Sequence, residues 1–234
     1  MLGLKDLAAI AAEHAVDLKA EVRPFDIAGQ VAFPTAQPVI MGVINLSADS
    51  WYRQSICTSV QAAVERGSEL RAQGAAIIDI GAESTLGQAQ RVNDIEQQQK
   101  LLPVIEQLAS QGVIISAETY DVGVAKACLE AGAKVLNLTG TADSETIYRL
   151  AAEHDAAVIV CYVAGDNVRE VGNIPLDDDP IPRMADYFSR EIETAGRCGL
   201  AKGFVDPGLG FYYGNLQDSS VRIRHQMKTF LNAF

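Results

Sequence analysis

A chain of 234 residues, 48% hydrophobic and 21% charged, can bury a large core, which excludes intrinsic disorder. Its net charge of −11 comes without any basic cluster, so a nucleic-acid backbone is excluded as a partner. No apolar run of about 18 residues and no basic leader before an apolar stretch is found. The expectation is therefore a cytoplasmic protein with no membrane partner. Cys57, Cys128, Cys161 and Cys198 are widely spaced without a CxxC pair, the pattern of reduced thiols rather than of zinc ligands or disulfides.

In chain order, the Ala-rich stretch 7–18 predicts one amphipathic helix. Residues 21–38 hold prolines and two short alternating stretches, Phe25-Asp-Ile and Val31-Ala-Phe, read as an irregular plug or hairpin. We divide the chain into this lead-in, 1–38, and a main unit, 39–234. From Val39 one pattern recurs: an apolar run, a small polar or glycine-containing cluster, then a helical segment. The runs are 39–46, 76–82, 113–117, 134–138, 157–163 and 203–205. The first five lack polar alternation, as strands of a parallel sheet covered on both faces do. Helices are predicted near 58–73, 94–111, 121–132, 143–154 and 180–199, with one more at 216–233. Gly74, Gly112 and Gly132 stand where three of the helices hand over to strands.

Repeated β/α units fit either a barrel or an open doubly wound sheet. The polar residues favour the barrel. Asn45, Asp79 with Glu83, Glu118, Asn137 and Asp206 fall at the ends of nearly every run, whereas a doubly wound sheet gathers its site at one switch point. The glycine-rich phosphate turn of that fold is also missing. The first run delivers Asn45 to a loop holding Ser47, Asp49 and Ser50. These groups suit a hydrated cation or a phosphate-bearing ligand, but the same Ser-x-Asp-Ser can simply turn the chain and cap a helix. Asp79, one residue inside its strand, reads as packing within the barrel mouth. His14, His154 and His225 all fall in helical stretches, as surface or capping residues, so no catalytic histidine is expected.

Asn45-Leu-Ser-Ala-Asp-Ser-Trp51 resembles the first signature of dihydropteroate synthases, Asn-x-Thr-Pro-Asp-Ser-Phe. Ile77-Ile-Asp-Ile-Gly-Ala-Glu-Ser-Thr85 is similar to the second, Ile-Ile-Asp-Ile-Gly-Gly-Glu-Ser-Thr. Ser116-Ala-Glu-Thr-Tyr120, Val135-Leu-Asn-Leu-Thr-Gly140 and Val205-Asp-Pro-Gly-Leu-Gly-Phe211 follow in the order of that family. The resemblance implies a TIM-type (β/α)8 barrel. It implies a transferase of folate biosynthesis, the target of sulfonamides, that joins a pterin pyrophosphate to p-aminobenzoate. It casts Asn45 and Asp206 as catalytic, with Asn45 holding Mg2+. Glu118, Asn137, Asp206, Ser84 and Thr85 would bind the substrates, and a homodimer would be usual. A carboxylate facing the paired N–H donors of a pterin edge is the chemistry such a site needs.

Departures accompany the resemblance. Ala48 stands for the family's proline, Glu118 for an aspartate, and Leu138 for the aspartate after Asn137. Leu86-Gly87 stands for Arg-Pro, which removes a cation, and Tyr212-Tyr213 for Gly-Lys. Glu118 is one methylene too long, so either the pterin shifts or the side chain folds back. The family's Ser-Arg-Lys strand and its Arg-x-His strand would lie beyond Phe234, so we expect about six β/α units, an incomplete barrel and impaired activity. Methyltetrahydrofolate:corrinoid methyltransferases, which hold a folate on the same strand ends without a pyrophosphate, are the alternative. Asn-x-Ser-x-Asp-Ser and Glu-Ser-Thr look like the synthase side, while the cation lost after Thr85 points the other way.

Overall fold

The six apolar runs become six parallel strands, lying side by side in the order in which the chain makes them. The structure is a computed structural model that describes residues 3–13, 15, 19, 23–50, 52–86, 89–163, 165–169 and 181–208. After helix α1 (Leu4–Glu13), a hairpin of β1 (Phe25–Ile27) and β2 (Val31–Phe33) leads to the main sheet. That sheet runs β3 (Met41–Asn45), β4 (Ile77–Gly81), β5 (Ile114–Thr119), β6 (Val135–Leu138), β7 (Ala157–Cys161) and β8 (Gly203–Asp206). Between them lie α2 (Val60–Ala72), α3 (Asp94–Ser110), α4 (Val122–Glu130), α5 (Ser144–Glu153) and α6 (Ile181–Arg197). A doubly wound sheet reverses its order at a switch point. This one never does, which is the order of a barrel. Among the described residues it is incomplete, with β3 and β8 as outer strands.

Sequence explains each layer. On α3, Leu101, Val104, Ile105 and Leu108 recur at helical spacing, and all four are fully buried against the sheet. Each such side chain contributes about 1.5–3 kcal/mol on leaving water. Of the strands, β4 is buried along its whole length, whereas the outer strands β3 and β8 expose Val43 and Val205. Asn93 and Asp121 cap α3 and α4, accepting from Glu96 N and Val124 N at 2.9 Å. Gly74, Gly112 and Gly132 adopt φ of 103°, 74° and 113°, the left-handed conformation that ends a helix.

The hairpin closes the lower end of the sheet. Phe25 and Phe33 stack with centroids 5.3 Å apart, and both pack against Phe204 of β8. With Ile27 they cover Ile77, Ile114, Val135 and Ala157, the first or near-first residues of their strands. One end of the sheet is thereby plugged with hydrocarbon, which leaves the C-terminal strand ends as the mouth.

Two expectations shift. The first helix begins earlier than expected and is described only to Glu13, because much of 14–22 lies outside the described residues, as does the whole helix expected at 216–233. The run 157–163 yields a strand only to Cys161. Just beyond it, Tyr162 still donates its N–H to Asp206 O at 2.8 Å and sets its ring 5.1 Å from that of Tyr187 on α6. His154 sits just past α5, its N–H donating to Leu150 O, the capping place expected of it. Among the described residues no helix is long and apolar enough to cross a membrane.

Candidate functional site

Parallel register sets Asn45, Glu118 and Asn137 in one row of strand ends, with Cys161 and Asp206 two residues beyond that row. Asn45 lies opposite Gly81, Gly81 opposite Glu118, Glu118 opposite Asn137, and Cys161 opposite Asp206. Together with Asp79 and Thr85, the residues Asn45, Glu118, Asn137 and Asp206 line one cleft of about 580 Å3 at the mouth. Pockets of that size hold small organic ligands. Asn137 Nδ2 donates to Asp79 Oδ2 at 3.1 Å, and its Oδ1 accepts from the Cys161 thiol at 3.2 Å. The same thiol faces Asp206 Oδ2 at 3.5 Å, while Asp206 Oδ1 accepts from Gly208 N at 2.8 Å. Asp79, Asn137, Cys161 and Asp206 thus form one chain of contacts across five strands, β4 to β8.

Two carboxyls in so dry a place, Asp79 and Glu118, resist ionisation. Burial pushes Asp79 up to about 6, with the charge of Asp206 adding to the effect against the pull of the Asn137 amide. Burial, then the charges of Asp79 and Glu83, push Glu118 up to about 8. At neutral pH Glu118 is chiefly a neutral acid, able to donate as well as accept. The Cys161 thiol is raised well above its ordinary value, first by burial and then by the nearby carboxyls. It is an inert donor rather than a nucleophile.

The extra methylene of Glu118 folds back onto the neighbouring strand. A Cβ at Gly81 would lie 2.4 Å from Glu118 Oε2, so the carboxyl rests where only glycine leaves room. Gly81→Ala is therefore expected to swing Glu118 out of its seat. Ligand affinity of the mouth, read by titration calorimetry, should fall about tenfold with little change in melting temperature, since one hydrogen bond to a ligand is worth about 1.5 kcal/mol. Unchanged affinity would show that the seat does not matter.

Two loops frame the cleft. In the first, Asn45 Nδ2 donates to Ser55 Oγ at 2.6 Å, and Ser55 Oγ donates to Tyr52 O at 2.7 Å. That leaves Asn45 Oδ1 as a neutral oxygen suited to a hard cation. Among the described residues no three His, Cys, Asp or Glu side chains gather as a metal cage. A Mg2+ ion would fit here only with oxygens of a bound ligand and waters completing its shell. In the second loop Thr85 reaches the cleft, whereas Ser84 is buried and gives its hydroxyl to Asp49 O at 3.0 Å, tying the two loops together.

Sequence reasoning assigned no role at the mouth to Cys161, and it missed a buried group beneath the second loop. Cys161 follows the strand-end rule that picked out the others, so the signal was there. Glu83, Tyr120 and Arg169 make up the buried group, with Tyr120 Oη donating to Glu83 Oε2 at 2.6 Å. Arg169 sits 3.7 Å from the other oxygen of Glu83. No local pattern marks that arginine, since the carbonyls its guanidinium meets lie 85 and 80 residues away in sequence.

The sequence profile of the pterin binding enzymes matches residues 41–233. The dihydropteroate synthase of Streptococcus pyogenes serotype M1 is 33% identical over 177 residues, which are 74% of this chain and 63% of that protein. The chain thus spans less than two thirds of the curated relative's length. Among solved structures, the Yersinia pestis dihydropteroate synthase in a sulfonamide drug complex superimposes with a TM-score of 0.71 at 26% identity, covering 81% of this chain and 69% of that one. The Xanthomonas albilineans dihydropteroate synthase with 4-aminobenzoic acid gives 0.70 at 27% identity, covering 86% and 70%.

Proposed function

This chain belongs to the pterin binding enzyme family, and from that premise we propose that it serves dihydropteroate synthesis. It would take a 6-hydroxymethyl-7,8-dihydropterin pyrophosphate and p-aminobenzoate, and release pyrophosphate. The observation that carries the reading is the convergence of Asp79, Glu118, Asn137 and Asp206 on one cleft. A flat heterocycle with donors and acceptors along its edges is the ligand such a row fits.

The roles follow from position. Asp206, free on its Oδ2 side but for the weak thiol donor, accepts from the amino and ring N–H donors of the pterin. Asn137 is held by Asp79 and Cys161, so its amide is oriented before the ligand arrives. Glu118, as a neutral acid, offers a donor to a ring acceptor. Thr85 and Asn45, at the outer rim, face the side on which the CH2–O–pyrophosphate arm leaves. Mg2+ held there with Asn45 Oδ1 would neutralise charge on the departing pyrophosphate.

The reaction is a displacement: the C–N bond from the arylamine forms as the C–O bond to pyrophosphate breaks, and the amine proton passes to solvent. Rate then comes from positioning and from the electrostatics of the strand ends, which suits a cleft with no histidine among its described lining residues. All four cysteines are unpaired, in keeping with a reducing, cytosolic setting.

Titration calorimetry with the pterin pyrophosphate and Mg2+ tests the reading. Saturable binding is expected, together with pteroate formation once p-aminobenzoate is added. A folded chain that binds no pterin would overturn it.

A further inference from the structure

Arg169 lies away from the strand ends, on residues 165–169 beyond β7, and no step of the displacement uses it. Its side chain is 2% exposed. One end of its guanidinium donates to Ser84 O and the other to Ala89 O, two points on the loop between β4 and α3. Glu83, from the same loop, balances the charge at 3.7 Å. The two oxygens of Glu83 also hold Val92 N and the Tyr120 hydroxyl. Both terminal nitrogens of the buried guanidinium are committed to loop carbonyls, and only its Nε lacks a partner. It holds a loop. Ser84, whose carbonyl it takes, passes the connection on through its hydroxyl to Asp49 in the first loop.

The arm that carries Arg169 is itself anchored. Val168 N donates to Thr139 O at 2.9 Å, Thr141 N to Asp166 O at 3.0 Å, and Arg169 N to Asn167 Oδ1 at 3.0 Å. The approach is close enough to need glycine. A Cβ at Gly140 would lie 2.7 Å from Asn167 Cβ and 2.8 Å from the Asp166 carbonyl oxygen. The arm therefore rests on the end of β6, and from there Arg169 reaches across to the second loop and, only through Ser84, to the first.

We infer that Arg169 is the positioning residue of the two loops, clamping Thr85 and the 45–50 stretch in the geometry that meets the anionic arm of the substrate. The ring-binding strand ends are fixed separately by the sheet. The inference rests on the pterin pyrophosphate reading for its ligand, although the clamp can also be read without one. It also gives the second loop a cation after all: Leu86 stands where the resemblance led us to expect an arginine, and a guanidinium from a distant loop enters the same region from below.

The test compares two ligands on the full chain: 6-hydroxymethylpterin, which offers the ring alone, and its pyrophosphate ester with Mg2+. Arg169→Met should weaken the ester about tenfold, as a small misplacement of loop groups does, and leave ring affinity within about twofold. Gly140→Ala, which displaces the arm and keeps the guanidinium, should give the same selective loss. Equal weakening of both ligands would mean that Arg169 is merely structural. Unchanged ester affinity in either variant would also overturn the clamp.

Hydrogen exchange reads the clamp without ligand. Amides of 46–50 and 82–92 should exchange faster in both variants while those of β5 and β6 stay protected. Protected loops would overturn the clamp even if the wild-type chain bound neither ligand, a result that would count against the pterin reading instead.

Discussion

Asp206→Asn is expected to lower affinity for the pterin by at least about a hundredfold while leaving the fold intact. The substitution is nearly isosteric. Asparagine Oδ1 can still accept from Gly208 N, as Asp206 Oδ1 does at 2.8 Å, so the turn after β8 has no reason to move. The other side of the carboxyl is what changes. Oδ2 faces the cleft and accepts from the Cys161 thiol, and on the proposed reading it also receives the donor edge of the ring. An amide nitrogen there sets donor against donor. Two charge-assisted hydrogen bonds are lost and the ligand's own donors are left dry, which together cost about 3 kcal/mol or more. Calorimetry on wild type and variant measures this directly, with circular dichroism as the control for folding. A variant that binds the pterin as tightly as wild type would show that the ring does not sit on Asp206.

How much of this was legible beforehand depended on the distance over which each feature is encoded. Strand ends were readable. A parallel strand covered on both faces is a run of Val, Ile and Leu, and Asn45, Glu118 and Asn137 each end such a run. The helix ends were readable too, because Gly74, Gly112 and Gly132 answer a purely local backbone demand. The fate of Glu118 was not. Sequence showed a methylene too many and left two outcomes, a displaced ligand or a folded-back side chain. Only the register of β4 against β5, which sets Gly81 beside Glu118, decides for the second. Arg169 was beyond reach, since its partners Ser84 and Ala89 lie 85 and 80 residues away and its arm depends on a close approach at Gly140. Cys161 was overlooked for another reason. A lone cysteine reads as a core residue, and its use here as a weak donor between Asn137 and Asp206 needs three strands in place.

Glu118 also makes the stability of the protein depend on pH, with a sign opposite to that of most salt-bridged carboxylates. Its folded-state pKa is raised to about 8 from an ordinary 4.5, and that of Asp79 is raised to about 6 from 3.8. Between those limits the folded chain binds protons that the unfolded chain has released. Stability must therefore fall as pH rises, and it is greatest below the unfolded pKa values, where both states are protonated. Ionising Glu118 in place costs the folded state on the order of 2–4 kcal/mol, discounted for the water that reaches the mouth. Glu118→Gln removes the titration and keeps both the side-chain length and a donor. The variant should match wild type near pH 5, exceed it by most of that amount at pH 8.5, and retain only the smaller decline that Asp79 causes between about pH 4 and 6. Urea unfolding midpoints at pH 5, 7 and 8.5 decide the matter. Parallel curves for the two proteins would place the titrating proton elsewhere. A flattened curve together with retained pterin affinity at pH 7 would show that Glu118 meets the ring as a neutral donor, the form in which the amide can replace it.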